Sequence, residues 1–404
     1  MPPPTNAEYI APSFWPRLWL WLARSPTPAA QLRQRQQQFP PQYDSQNSRT
    51  SALRRRLPPE LDALLQAGRV SIGEVGELGV FIHVEPLPVW GYFIEFSSGF
   101  MRLNYSVARA LGAATRVFFP PPRPPVQPVL TMQQFAGATA TMMFLLRDAG
   151  WVVPPQHPID PEQREIADDL TNEAEYFLMM HELAHVWIAL RSPASAESLL
   201  RGAGVSWKEE FAADHLALLW SLGCAWSPAS PGHRRPSPRM VYAGAEFALR
   251  VLAFMEHLKI EFERTHPLAQ DRLEMLRLCA QALCAQHQIA FDSLRTIAMA
   301  NNQYLDAAER VILGQDPNPP LRPEELRATL TALFEEAAKG MVDLAFTLKE
   351  LETLHKYAEP LTFIEAARAV RQELASSRSP AAQILEQAVA QMPPDVRNAF
   401  QQPN

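Results

Sequence analysis

Apolar and polar positions change their spacing along this chain, and each change marks a region. Residues 1–59 hold no sustained period. Pro2 to Pro4, the glutamine-rich run Gln31 to Gln38, Pro40–Pro41 and Arg54 to Arg56 predict a proline/glutamine-rich arm, partly irregular. Between about 60 and 118 the pattern tightens. Glu60 to Gly68 predicts a short helix. Gly79 to Val84, Trp90 to Phe96 and Phe100 to Tyr105 are rich in β-branched and aromatic residues, which predicts three strands. Ser97-Ser-Gly99 between the last two reads as a hairpin turn, so the expected sheet is small and mostly antiparallel.

Phe118 to Pro128 is proline-dense and predicts a stiff polyproline-II connector. Beyond Thr131 the period becomes helical. Helices are expected over Met132 to Asp148, Glu162 to Leu190, Ser206 to Leu222, Tyr242 to Arg264 and Leu268 to Ile289. Ser227 to Pro238, with four prolines and a glycine, predicts a loop. Amphipathic helices fill 291–404, with breaks near Pro317 to Pro323, Pro360 and Pro393–Pro394. The reading is an α+β chain: arm 1–59, a central domain 60–290 and a helical C-terminal region 291–404.

Composition narrows the function classes. The 404 residues are 47% hydrophobic and 20% charged, enough for a sizeable core. A net charge of −6 offers no global basic field, so no nucleic-acid partner is expected. The 38 prolines against 16 glycines fit rigid connectors and frequent helix stops. Cys224, Cys279 and Cys284 form no CxxC pair, which fits a reducing compartment. The apolar stretch Phe14 to Ala23 is short and interrupted by Pro16 and Arg17, so neither a targeting segment nor an integral membrane segment is expected. Trp15, Trp19 and Trp21 are expected to pack against the domain. The expected location is cytoplasmic.

The chemistry concentrates at His181-Glu-Leu-Ala-His185. On a helix, positions i and i+4 share a face about 5–6 Å apart between Cβ atoms, so two imidazoles can converge on one metal ion. Glu182 is offset by one residue, where it can serve as general base towards a water molecule activated by the metal. A metallohydrolase needs a third protein ligand. Glu209-Glu-Phe-Ala-Ala-Asp-His215 lies downstream, with Glu210 and Asp214 again at i, i+4. Glu210 can complete a His₂Glu set. Asp214 can accept a hydrogen bond from the outer nitrogen of a ligating histidine and fix its tautomer. Glu209, Asp214 and His215 are rival ligands. Ala212 and Ala213 would let this helix approach the first closely.

Further on, Thr265-His-Pro-Leu-Ala-Gln-Asp-Arg272 places Pro267 at a helix start. By its residues alone this is a helix start with a surface arginine. Taken in order, His181-Glu182-x-x-His185, Glu210-Phe-x-Ala-Asp214 and His266-Pro267-x-x-x-x-Arg272 resemble the gluzincin metallopeptidases. The resemblance is nearest to the HtpX-type peptidases and to the phage-exclusion peptidases of the Lit type, and covers about 170–276. It implies a zincin-like catalytic domain whose active-site helix bears the HExxH motif. It implies that His181, His185 and Glu210 bind one Zn²⁺ per chain, that Glu182 is the catalytic base and that Asp214 supports a ligand from outside. HtpX-type enzymes are membrane-embedded, and this chain departs from them in having no membrane helices.

The expected activity is hydrolysis of peptide bonds in a protein or peptide substrate, in a regulatory or defence-related setting. Zincins bind substrate as a strand added to a sheet edge, here Phe100 to Tyr105 or Gly79 to Val84. His266 or Tyr242 could stabilise the transition state. His83 reads as a half-buried sheet residue, and His157, His233, His257, His287 and His355 have no ligand spacing. The C-terminal helices could carry a protein partner. Two rival readings are a zinc-binding but catalytically silent interaction module, and a helical interaction protein with a chance motif.

Overall fold

The computed structural model describes residues 27–38, 53–77, 80–87, 91–115, 126–150, 159–192, 206–227, 236–260, 267–319, 321–340, 342–377 and 379–401. Among them are three strands and fifteen helices. The strands are β1 (Val70–Val75), β2 (Ile82–Leu87) and β3 (Gly91–Ser97). Their order is β1-β3-β2, with β1 parallel to β3 and β2 antiparallel to it. The sheet is therefore mixed rather than mostly antiparallel. The hairpin joins β2 to β3, one element earlier than expected.

The correction has a physical cause at Ser97. This residue ends β3, and its hydroxyl accepts the N–H of Phe100 at 3.0 Å, so the same side chain caps a helix. Phe100 to Tyr105 then lies inside α3 (Ser98–Ala114), following α1 (Pro28–Gln38) and α2 (Pro59–Gln66). Phe100, Leu103, Val107, Leu111 and Ala114 are buried at helical spacing.

The arm also departs from expectation. Its glutamine-rich run forms α1, started by Thr27, whose Oγ1 accepts the N–H of Ala30 at 3.2 Å. Leu32 is buried and packs on Gly73 of β1, where a Cβ would lie 2.6 Å from Leu32 Cδ2. Arg35 bridges Glu77 and Glu95, and Gln36 Nε2 donates to the Glu74 carbonyl at 3.0 Å. Trp15, Trp19, Trp21 and most of the polyproline stretch lie outside the described residues.

Helices beyond 131 follow the predicted pattern: α4 (Met132–Ala149), α5 (Pro161–Arg191), α6 (Trp207–Trp226), α7 (Pro238–His257) and α8 (Ala269–Gln286). The 31-residue α5 is the axis of the molecule. It has Pro161 in its first turn and no glycine or later proline. Buried Gln163 steadies its start: Oε1 accepts the Asp160 N–H, and Nε2 donates to the carbonyls of Thr115 and Gln127. Helices α3, α6 and α7 and strands β2 and β3 pack around α5.

Apolar side chains form two clusters. The larger runs from Leu53 to Ile312 and takes in α9 (Phe291–Leu294) and α10 (Thr296–Ile312). The second unites α11 (Pro323–Ala338), α12 (Leu344–Tyr357), α13 (Pro360–Ser377), α14 (Pro380–Gln391) and α15 (Pro394–Gln401) around Phe334, Phe363 and Phe400. Ala138 and Leu145 of α4 belong to it, and Arg102 of α3 pairs with Glu336 at 2.5 Å, so the two clusters share a seam. Among the described residues no helix is long and apolar enough to cross a membrane.

Gly244 of α7 makes a close approach to α5. A Cβ there would lie 2.5 Å from Glu173 Cβ and 2.8 Å from the backbone nitrogen of Ala174. Gly244→Ala should therefore force the two helices apart and cost about 1–3 kcal/mol, the usual range for overpacking. Urea unfolding measures this. Unchanged stability would mean that the α5–α7 contact tolerates a methyl group and does not set the position of α5.

Candidate metal centre

His181 and His185 lie mid-way along α5 at i, i+4, and both are buried. Their rings meet edge to face, with centroids 4.7 Å apart and the two Nε2 atoms 3.1 Å apart. Helix α6, packed against α5, brings Glu210 from its first turn and Asp214 one turn further on, both buried. Ala213 and Ala217 are fully buried along this helix, so small side chains let it close in. Ala212 is exposed and plays no such part.

Glu210 faces both imidazoles. One carboxylate oxygen lies 3.3 Å from His181 Nε2, the other 3.4 Å from His185 Nε2. Ligand atoms of His181, His185 and Glu210 all fall within 4.8 Å of one another. Bonds of about 2.0–2.2 Å at tetrahedral angles put neighbouring ligand atoms about 3.3–3.5 Å apart. The contacts of Glu210 with the two imidazoles, 3.3 and 3.4 Å, are of that order, and the two Nε2 atoms at 3.1 Å sit slightly closer, so the three residues could hold a metal ion.

The rival ligands are occupied elsewhere or stand apart. Glu209 is in a capping box: its Oε2 accepts the Ser206 N–H at 3.2 Å, while Ser206 Oγ accepts the Glu209 N–H at 3.3 Å. Asp214 accepts from His181 Nδ1 at 2.8 Å, which leaves Nε2 turned to His185 and Glu210. His215 is half-buried and outside the cluster.

Arg272 overturns its surface reading. It is 5% exposed, on α8, with Nε donating to Asp214 Oδ2 at 2.9 Å and Nη2 to Oδ1 at 2.8 Å. This fork fixes the carboxylate plane. Helix α8 lacks a side-chain cap of its own. Glu256 of α7 supplies one, both carboxylate oxygens accepting the Ala269 N–H at 2.9–3.0 Å. Sequence spacing gave no sign of Glu256.

Electrostatics follow from this packing. Burial works against a charged Asp214, but Arg272 and then His181 outweigh it and hold the carboxyl at about 2. Burial and Arg272 both oppose a proton on His181, yet Asp214 and Glu210 prevail and raise it to about 9. A cation at Nε2 would take the place of that proton. Glu182 is buried on the same helix, next to His181, and contributes to the field at Arg272.

Other expected site residues fall differently. His266 lies outside the described residues. Tyr242 is fully buried and donates to Glu246 at 2.5 Å, in a separate cluster with Arg277 and Asn302. Its hydroxyl is committed to that network, apart from the histidine cluster. His83 sits on β2, half exposed, 3.3 Å from Glu95.

Arg272→Met should leave Asp214 as a buried charge without its cation. The cost of breaking such a pair is about 3–5 kcal/mol. Adding Asp214→Asn should recover part of that loss, because the uncompensated charge is then gone. A chemical-unfolding cycle over the two variants measures the coupling. Strictly additive losses would mean that the two side chains act independently.

Residues 135–288 match the family model described as Peptidase U49. The matched stretch contains α5, α6 and α8, and with them every side chain of the cluster. No curated relative and no solved structure matches the chain. The family match supports a peptidase.

Proposed function

We propose that the chain is a zinc metallopeptidase of gluzincin type, with a zincin-like catalytic domain. The observation that carries this reading is the buried convergence of His181, His185 and Glu210, their atoms 3.1–3.4 Å apart. Two imidazoles and one carboxylate are the donor set of hydrolytic zinc sites that keep an open position. One Zn²⁺ bound there would supply Lewis acidity, polarising the scissile carbonyl and lowering the pKa of water to about 7.

The chain's own residues do the rest. Asp214 holds the Nδ1 proton of His181, so that Nε2 presents its lone pair. Glu182 takes a proton from the attacking water and returns it to the leaving amine. The burial of the cluster keeps bulk water from competing with both transfers. His266, which lies outside the described residues, is the proposed stabiliser of the developing oxyanion.

Substrate would lie along β2. This strand is an edge of the sheet and packs beside α5. Ser97 N–H donates to the Phe81 carbonyl, which sets the phase of the ladder: Phe81, His83 and Glu85 face β3. Ile82 and Val84 therefore turn their backbone groups outward, and Pro86 ends the run because it has no N–H. Among the described residues no strand pairs with that outer side. An extended peptide would add there without much demand on its sequence.

Metal analysis of purified variants tests the ligand set. His181→Ala, His185→Ala and Glu210→Ala should each lose the ion, and Glu209→Ala should keep it. Asp214→Asn should weaken zinc affinity by about 10–100-fold in chelator competition. If Glu209→Ala loses the metal and Glu210→Ala keeps it, the assignment of the third ligand is wrong.

Glu182→Gln tests the chemistry. It should retain zinc while peptide cleavage falls by about 10²–10⁴-fold or more. Comparing new protein termini in cells carrying wild type or Glu182→Gln identifies the substrate. Cleavage that survives the substitution at full rate would remove the peptidase reading.

A further inference from the structure

We propose that the outer edge of β1 is a docking groove for an extended acidic segment of a partner protein. The sheet has two edges, and β1 is the one on the far side of β3 from the proposed substrate strand. Hydrogen-bond phase shows what this edge offers. Tyr92 N–H donates to the Arg69 carbonyl at 2.9 Å, so Arg69, Ser71 and Gly73 turn their backbone groups to β3. Val70, Ile72 and Glu74 turn theirs outward. The Glu74 carbonyl is taken by Gln36 Nε2. The outward N–H and C=O groups of Val70 and Ile72 have no partner among the described residues. Four backbone groups in extended register are a template for one short strand.

The edge is covered in part by a helix, α1, rather than guarded by proline or lysine. β1 holds no proline and no lysine. It is instead walled. A groove of about 290 Å³ runs along Val70 to Ile72, with Leu32, Arg33 and Gln36 of α1 on one side and Leu65 of α2 on the other. That volume is near the lower bound of about 300 Å³ for small-molecule sites, and suits a few residues of chain rather than a cofactor.

Charge selects the occupant. The described lining holds Arg33 and Arg54 and no carboxylate. Arg54 is answered from outside the groove by Asp62 at 2.5 Å. Arg33 is exposed and has no acidic partner among the described residues. Leu32, Leu65 and Ile72 supply apolar surface between the cations. An added strand alternating apolar and acidic side chains would satisfy the ladder, the apolar floor and Arg33 together. The rest of the chain works against acidic ligands, because its net charge is −6, so retention of one reports a local site. The inference does not depend on peptidase activity.

Fluorescence anisotropy on the full chain tests it, with a labelled heptapeptide of alternating valine and glutamate and a second of alternating valine and lysine. The glutamate peptide should bind saturably and the lysine peptide about tenfold more weakly or worse. Arg33→Glu, on an exposed helix face, should weaken the glutamate peptide by about tenfold or more. Ile72→Pro should do the same, since it removes an outward N–H and leaves the β1–β3 ladder intact. Should Ile72→Pro fail to fold by circular dichroism, Arg33→Glu alone decides. Glu182→Gln should bind like wild type. Absence of saturable binding, equal affinity for the lysine peptide, or indifference to Arg33→Glu would overturn the proposal. So would a dimer in light scattering that the glutamate peptide does not dissociate, because a second copy would then own the edge.

Discussion

Ionisable side chains can gather out of water only where each charge is answered, and the centre of this protein is organised by that requirement. His181, His185, Glu182, Glu210, Asp214 and Arg272 are all less than one-tenth exposed. An isolated ion at such a place would cost several kcal/mol, so the groups must neutralise one another or a bound cation. Arg272 answers Asp214, and Asp214 orients His181. Glu210 faces two imidazoles across distances that a divalent ion would bridge. The sequence of dependence runs outward from there. Arg272 needs α8 in place, and α8 begins on Glu256 of α7. Helix α7 needs Gly244 to lie against α5.

The same logic extends along α5 towards its N-terminus. Arg56, from the segment before α2, forks onto Glu173 at 2.5 and 2.7 Å and covers the Tyr176 ring at 4.2 Å. Glu173 is two turns before His181, and its Cβ is what Gly244 makes room for. Residues before position 60 thus help to fix α5. The C-terminal helices are joined more loosely in chemical terms. They meet α4 through Ala138 and Leu145 and the core through the Arg102–Glu336 pair. None of them supplies a side chain to the histidine cluster.

What the sequence disclosed follows from the range of the interactions involved. The convergence of His181 and His185 was legible because it lies in i, i+4 spacing, which the chain carries locally. The commitment of Glu209 was legible in principle too: Ser206-x-x-Glu209 is a capping-box pattern, and the structure has that box. Arg272 was not, since its partner is 58 residues away and no local pattern distinguishes a buried arginine from a surface one. Strand β1 was missed for a similar reason. Gly73 breaks its pattern, and the glycine is explained only by Leu32 arriving from the arm. Phe100 to Tyr105 was misread because six residues fit either period; the decisive positions were Val107, Leu111 and Ala114 beyond them.

The proposed function requires His181, His185 and Glu210 together to hold one zinc ion. Anomalous diffraction from crystals of the full chain, collected on either side of the zinc absorption edge, tests it most directly. A single peak within bonding distance, about 2.0–2.2 Å, of both Nε2 atoms and a Glu210 oxygen is the predicted result, with Asp214 on His181 Nδ1 and no direct bond from Glu182. A peak held by Glu209 or Glu182 in place of Glu210, or full zinc loading with no peak between the two histidines, would contradict it.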